Sequence, residues 1–307
     1  MDRLADIALF LRVLDLGSIS AAARNLDLST AVASKRLQRL ERELGVRLLH
    51  RTTRRLHPTP EGSALAEQGR MLVEDLEALT GGLRQSGGDI AGTLRITAPA
   101  SFGRQYLSPL IAEFLALYPK VNISLNLNDE RLDLISAGFD MAIRIGTLDD
   151  SSLVARLLAP NTRLLCASPD YLQRRGLPRV PADLEHHDCL VQLGGQGRRE
   201  AWRLLDDEKR EVIVRPSGRL ESNFGEALRD AALAGLGIAA HSTWHVAEDL
   251  RSGRLRRVLP EYQIGGTGIY AVMPQRRLMP PRVRAFVEFV AARFAQGSYW
   301  NRGLPGE

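Results

Sequence analysis

The chain has 307 residues, 44% of them hydrophobic and 25% charged. That suits one or two globular domains and excludes both a disulfide miniprotein and a disordered tail. Lys and Arg outnumber Asp and Glu by 41 to 36, a net charge of +5. Residues 1–60 hold 11 basic and 6 acidic side chains, whereas residues 61–307 hold 30 of each. The whole excess therefore lies at one end, as expected where that end meets a polyanion. Charge alone leaves a solvated basic helix equally open.

Two cysteines, Cys166 and Cys189, give neither a disulfide framework nor a zinc spacing. Cys166 sits in an apolar run and is expected as a buried free thiol in a reducing compartment. Asp2, Asp6 and Arg12 make the N-terminus unlike a signal peptide. No apolar run approaches the ~20 residues of a membrane helix. A soluble, cytoplasmic protein that engages no membrane is expected.

Apolar residues at Leu4, Ile7, Ala8, Leu11 and Leu14 have helical spacing. Gly17 stops this helix and Ser18 can cap the next, about Ile19 to Leu26. Its Ala21-Ala22-Ala23 run allows another helix to cross closely. Asp27-Leu28 turns the chain and Ser29 is a natural N-cap. A third helix runs about Thr30 to Leu44, ended by Gly45. Its inner face is Val32 or Ala33, with Leu37, Leu40 and Leu44. Its outer face carries Ser34, Lys35, Arg36, Arg39 and Arg42. Two short helices joined by a tight turn, the second basic outside, predict a helix-turn-helix.

Thr30, Ala31 and Ser34 are small enough to approach base edges. Lys35, Arg36 and Arg39 reach bases or phosphates. Residues 46–56 hold two β-prone runs around a Thr/Arg turn, which suits a wing on the DNA backbone or minor groove. The candidate DNA contacts are Ser20, Ser29, Thr30, Ala31, Ser34, Lys35, Arg36, Arg39, Arg51, Arg54 and Arg55. A helical bundle with a charged face is the competing reading.

The residue string adds to this. Ser18-x-Ser20-x-Ala22-Ala23-x-x-Leu26-x-x-Ser29 is followed by Ser34-x-x-Leu37-x-x-Leu40-Glu41-x-x-Leu44-Gly45-x-x-Leu48, then Arg51-Thr52-x-Arg54. This closely resembles the LysR-type transcriptional regulators. Thr59-Pro60-Glu61-Gly62 resembles the segment closing that family's wing. Ile19 and Leu49 stand where the family usually has Phe, Pro58 where Leu is common, and Ala33 replaces a usual Val. These are apolar swaps that a core tolerates.

From Gly62 to about Arg84 there is no proline. Leu65, Gly69, Leu72, Leu76, Leu79 and Leu83 recur at spacings of 4 and 3, a coiled-coil seam with Gly69 as a small contact point. A helix packed on its own domain is the alternative. The polar exterior favours pairing with a second chain, so Leu65, Leu72, Leu76, Leu79 and Leu83 are the candidate dimerisation residues. The resemblance implies the same linker role. Ser86-Gly87-Gly88 marks the boundary.

From Thr93 onward strands alternate with helices. Strands are expected at Thr93–Ala98, Val121–Leu127, Asp140–Ile145, Leu153–Leu158, Arg163–Ala167, Glu211–Leu220, Ile238–Ala240 and Ile269–Met273. Helices are expected at Gln105–Tyr118, Arg131–Ala137, Phe224–Ala234, Trp244–Ser252 and Val283–Ala295. That order predicts a parallel sheet with helices on both faces, in two lobes around a cleft. Ligands bind beyond the carboxyl ends of such strands. The candidate effector contacts there are Ser101, Phe102, Asn128, Asp129, Gly146, Thr147, Leu148, Ser222 and Asn223. Ser101 and Ser222-Asn223 precede helices, whose free N–H groups favour anions. A small organic acid is the natural guess, and plain caps and turns are the alternative.

Pro99-Ala100-Ser101-Phe102-Gly103, Gly138 to Gly146 and Glu226 to Ile238 resemble the family's periplasmic-binding-protein-like effector domain. The resemblance covers about residues 3–297. It implies two crossover strands, placed here near Asn161-Thr162-Arg163 and Gly265-Gly266-Thr267.

The expected fold is thus an N-terminal, mainly α winged helix-turn-helix (1–60), a long linker helix (61–88) and a two-lobed α/β domain (89–297), with a tail at 298–307. Lobe I takes about 92–161 and 267–297, lobe II about 162–266. The expected function is sequence-specific transcriptional regulation modulated by a small-molecule effector. Expected partners are double-stranded DNA, the effector, RNA polymerase and further copies of the chain in a homodimer or homotetramer.

Several motifs carry no chemistry. His186-His187-Asp188-Cys189 cannot all face one ion. His241 and His245 lack the flanking Glu of a zinc hydrolase, and Gly194-Gly195-Gln196-Gly197 lacks the Lys of a phosphate loop. No Gly-x-Ser-x-Gly elbow occurs. No metal, cofactor or catalytic residue is expected, so an enzyme is disfavoured; a transport binding protein is disfavoured because it predicts a signal peptide and no basic head. A DNA-coating protein differs only in lacking sequence preference.

Overall fold

The computed structural model describes residues 3–51, 56–83, 90–130, 132–147, 153–194, 197–275, 279–295 and 300–301; the side chains at 51, 71 and 74–83 fall outside the description. The chain divides into two compact units. The first is Met1–Ile90 with Asp133–Gly138 and Arg276–Arg284. The second is Ala91–Leu132, Phe139–Gln275 and Ala285–Glu307.

The first unit is built by α1 (Arg3–Leu16), α2 (Ile19–Asn25), α3 (Thr30–Leu44), the hairpin β1 (Leu49–Arg51) and β2 (Leu56–Pro58), and the long α4 (Pro60–Leu83). Its boundaries have local causes. Ser18 Oγ accepts from the Ala21 amide and Ser29 Oγ from the Val32 amide, so each serine caps the helix it precedes. Between those helices Asp27 takes φ +53°, a left-handed turn that Asp tolerates. Gly45 ends α3 at φ +72°. Leu9, Phe10, Val13, Ala22, Ala23, Ala33, Leu37, Leu40 and Leu48 form one buried core. Of the two options for the inner face of α3, Ala33 is the buried one. Val32 and Leu44 are 46% and 38% exposed, so the inner face is narrower than expected.

In the second unit the parallel order is β3 (Gly92–Ala98), β4 (Val121–Leu127) and β5 (Met141–Gly146), with β3 between the other two. The helix after β3 starts earlier than its apolar spacing suggests. It comprises a single turn α5 (Ala100–Phe102), a π-helical turn (Gly103–Leu107) and α6 (Ser108–Leu117). Over 132–137 no helix forms, and 133–137 belong to the first unit. Residues 134–138 make turns, and Asp133 Oδ1 accepts from the Ile135 amide at 3.0 Å, the local bond that competes with helix.

The two strands expected around residue 160 are one strand, β6 (Leu153–Ala167). After it come α7 (Pro169–Arg175), a 3-10 turn (Pro181–His186) and β7 (Cys189–Gln192). The expected strand at 211–220 is instead the hairpin β8 (Trp202–Leu205) and β9 (Glu211–Val214), with the short β10 (Glu221–Ser222) after it. Then follow α8 (Gly225–Leu233), β11 (Ile238–Ser242), α9 (Thr243–Arg251), β12 (Arg256–Val258), β13 (Gln263–Pro274) and α10 (Pro281–Phe294).

The main sheet runs β10-β7-β11-β6-β13-β5-β3-β4. β6 and β13 lie antiparallel at its centre and join the two parallel halves, with the register slipping between Ile264 and Thr267. β6 shows why both faces must be covered. Leu165 and Ala167 enter a core with Tyr171, Trp202 and Leu204. Leu164 and Cys166 enter another with Leu228, Ala232, Val246 and Leu250 of the covering helices.

Candidate nucleic-acid interface and effector site

The reading head is α3. Ser29, Thr30, Ala31 and Lys35 are exposed, and Ser34 is half-buried, as is Ser20 on α2. Ser29 already spends its hydroxyl on the Val32 amide, so it acts first as a cap. Arg36 and Arg39 differ from Lys35. Both reach back to Asp6 of α1: Arg36 Nε donates to Oδ1 at 2.6 Å, and Arg39 Nε donates to Oδ2 at 3.1 Å. Burial alone raises the Asp6 carboxyl; the two guanidinium groups outweigh it and hold it below the usual range. Of the wing arginines, Arg54, Arg55 and the Arg51 side chain lie outside the described residues.

The wing's root is built by Glu41, Thr59 and Gly62, whose contacts the sequence does not name. Glu41 Oε1, on α3, accepts from the Leu48 and Leu49 amides at 2.9 and 3.2 Å. Thr59 Oγ1 donates to the Arg47 carbonyl at 2.6 Å and accepts from the Gly62 amide at 3.0 Å. Gly62 packs so closely on the Leu48 carbonyl that a Cβ there would lie 2.1 Å from its oxygen. This explains the Thr-to-Gly segment: one residue caps α4 and ties it to the wing, the other leaves room for the strand backbone.

The seam along α4 divides. Leu65 packs on the core of its own unit. A Cβ on Gly69 would meet Ile7 of α1 at 2.9 Å, and Arg70 Nη2 pairs with Asp15 at 2.7 Å. Leu72 is 57% exposed. Leu65 and Gly69 therefore serve the intramolecular contact. The side chains of Leu76, Leu79 and Leu83 lie outside the description.

In the second unit a cavity of about 240 Å³ opens at the carboxyl ends of β3, β4 and β5. Three predicted residues, Asn128, Asp129 and Thr147, line it, together with Thr97, Glu130 and Arg144. Gly146 ends β5 beside Thr147, and Leu148 falls outside the described residues. Phe102 is not at this cavity. It is fully buried and packs edge-on against Trp244, Phe294 and Trp300, so it is a core residue. Ser222 and Asn223 lie elsewhere, at the end of β10. There Ser222 Oγ accepts from the Phe224 amide and the Asn223 carbonyl accepts from Gln192.

The free helix N-termini expected as anion sites carry carboxylates of the protein itself. Asp129 Oδ1 accepts from the Ala100 amide at 2.8 Å. Glu226, in the first turn of α8, accepts from the Ser101 hydroxyl and lies 3.3 Å from His245 Nε2. Sequence reasoning did not name Arg144, which lines the cavity and whose Nη2 donates to the Leu132 carbonyl at 2.6 Å. A lone arginine in the apolar strand Met141–Gly146 was the signal available.

His187 and Cys189 have internal roles: the His187 ring lies 3.2 Å from the Tyr171 hydroxyl, and the Cys189 thiol donates to the Leu184 carbonyl. Among the described residues no three metal-ligating side chains come together, and no helix is long and apolar enough to cross a membrane.

The comparisons match these two units. The profile described as "Bacterial regulatory helix-turn-helix protein, lysR family" matches residues 4–63, and that of the "LysR substrate binding domain" matches residues 87–295. An uncharacterised HTH-type transcriptional regulator of Haemophilus influenzae is 36% identical, covering 92% of this chain and 98% of its own. The Escherichia coli HTH-type transcriptional regulator DmlR is 36% identical over 95% of each chain. Among solved structures, CrgA, a LysR-type transcriptional regulator from Neisseria meningitidis, superposes with a TM-score of 0.60 at 30% identity, covering 94% of this chain and 98% of that one. An exposed helix start backed by a braced wing, a two-lobed sheet with a cavity and whole-length relatives agree: the chain belongs to the LysR family, and it is a DNA-binding transcriptional regulator with an effector-binding domain rather than an enzyme.

Proposed function

We propose that α3 reads an interrupted palindrome in the major groove, with the start of the helix, Thr30, Ala31, Ser34 and Lys35, at base edges. Arg51, Arg54 and Arg55 of the wing hold the adjoining backbone or minor groove. The observation that carries this reading is the exposed, small and hydroxylated face at the start of α3, held on a braced wing. Residues 1–60 form the reading head, 61–88 the joining helix, 89–297 the sensor and 298–307 a tail.

Pairing of two chains along α4 is supported by the exposed Leu72. Two heads then meet two half-sites, and the sensors extend the dimer to a tetramer. The protein acts on DNA in the cytoplasm and passes its state to RNA polymerase.

The effector is a small organic acid of few heavy atoms. The cavity of about 240 Å³ lies below the usual ~300–1,000 Å³ of ligand sites. Among the described residues that line it, Arg144 is the cation, and Asp129 already occupies the Ala100 amide. The effector acts only if it binds one arrangement of the paired heads better than the other.

The deciding experiment selects genomic fragments that the full-length protein binds, then compares them with random DNA. A shared palindrome, with discrimination lost in Ser34→Ala and binding to all DNA lowered about equally in Arg54→Ala, supports the reading. Equal losses on specific and random DNA for both variants would refute it.

A further inference from the structure

Half of the basic side chains on α3 end on one carboxylate of another helix. Asp6 lies in the first turns of α1 and is 3% exposed. Its Oδ1 accepts from Arg36 Nε at 2.6 Å, and its Oδ2 accepts from both Nε and Nη2 of Arg39. The two arginines are one turn apart, on the flank of α3 beside α1, and their side chains remain 24% and 35% exposed. Lys35 and Arg42, on the outer face, are exposed.

The geometry has two consequences. An arginine held through Nε has its guanidinium plane fixed, with the remaining Nη groups directed away from the carboxylate. Two cations sharing one anion also present a net charge of one rather than two, which limits indiscriminate attraction to phosphate.

We propose that Asp6 is a positioning residue for DNA recognition: its buried carboxylate fixes Arg36 and Arg39 so that their outer guanidinium edges meet DNA in one orientation. Asp6 itself does not touch DNA. The proposal rests on α3 being the reading helix. An ion pair that merely fastens α1 to α3 predicts something different, a loss of stability with unchanged discrimination.

The test uses the full chain, an operator recovered by the genomic selection and a random duplex of equal length, over a series of salt concentrations. Asp6→Asn should lower the operator-to-random affinity ratio ~10-fold, within the roughly 5- to 150-fold that one bidentate base contact supplies. It should also steepen the salt dependence on random DNA by about one counterion, as a released arginine finds a phosphate. Leu37→Val, which thins the same core without touching a charge, controls for stability. Arg39→Lys keeps the charge but not the fork; it should lower discrimination and leave the salt slope unchanged.

Asp6→Asn behaving as wild type, or tracking Leu37→Val, overturns the proposal. Should Asp6→Asn fail to fold, undiminished discrimination in Arg39→Lys overturns it. Ser34→Ala separates the two layers. If Ser34→Ala leaves discrimination intact, the assignment of α3 falls and this proposal with it. If Ser34→Ala loses discrimination and Asp6→Asn does not, only the role of Asp6 falls.

Discussion

Glu41 offers the sharpest test of how the wing is held. One of its oxygens accepts from two consecutive amides, Leu48 at 2.9 Å and Leu49 at 3.2 Å. Those residues are 1% and 4% exposed, so water does not replace the carboxylate when it is removed. A hydrogen bond to a charged group contributes about 1.5–3 kcal/mol. Two on the same oxygen contribute less than twice that, so Glu41→Ala should cost about 2–4 kcal/mol. Glu41→Gln keeps an acceptor without the charge and should cost about 1 kcal/mol.

The readout must be local, because Trp202, Trp244 and Trp300 all belong to the second unit. Hydrogen exchange of the peptide spanning residues 46–58 should therefore quicken roughly 30- to 1,000-fold in Glu41→Ala. The tryptophan-monitored unfolding midpoint should stay in place. Unchanged protection at 46–58, or a uniform loss along the whole chain, would refute the reasoning.

Other consequences are open to direct measurement. Gly62→Ala should destabilise the first unit by ~1–3 kcal/mol, because the new methyl meets a backbone carbonyl that cannot swing aside; exchange protection at the wing root checks it, and wild-type protection would be the contrary result. Burial pushes the Cys166 thiol up to about 12 and the Cys189 thiol to about 11. Both should therefore resist alkylation at pH 8 until denaturant is added, and labelling of the native protein at the rate of a free thiol would contradict this. Burial also lowers His241 well below 6.5 and lowers His245, with Arg163 and Arg229 opposing the charge on His241. The unfolded chain then binds the extra protons, so stability is full above about pH 6.5 and lost as pH falls through it, by about 1.4 kcal/mol per pH unit for a histidine that stays neutral. Tryptophan-monitored melting between pH 7.5 and 5.5 should show the decline, and His241→Gln should reduce it; a flat profile in the wild type argues against the burial.

What was legible in the sequence was what is decided locally. The caps Ser18 and Ser29, the stop at Gly45 and the parallel strands β3, β4 and β5 depend on neighbours within a few positions. What was not legible depends on partners far along the chain. Asp6 reads only as an acid unlike a signal peptide until Arg36 and Arg39, some thirty residues on, are seen beside it. Glu41 reads as a polar helix residue until Leu48 and Leu49 turn back to it. Phe102 follows a strand as a ligand-contacting residue would, yet its environment comes from α9, α10 and Trp300, nearly two hundred residues away at the farthest. The spacing on α4 suggests a seam, but spacing does not name the partner. Gly69 meets Ile7 of α1, and Leu65 packs on the core of the same unit.

The same distinction reshapes the argument about the effector. A helix start that follows a strand attracts anions because its first amides lack partners. That holds for any sequence until a carboxylate of the chain arrives, and here Asp129 meets Ala100 while Glu226 stands in the first turn of α8. An acid entering the cavity gains nothing from an amide that is already satisfied; it would have to displace Asp129 and leave that carboxylate beside its own. On the proposed reading the attraction passes from the helix start to Arg144, which lines the cavity from β5 and donates to the Leu132 carbonyl. The planar fork of a guanidinium is the geometry that meets a carboxylate from outside.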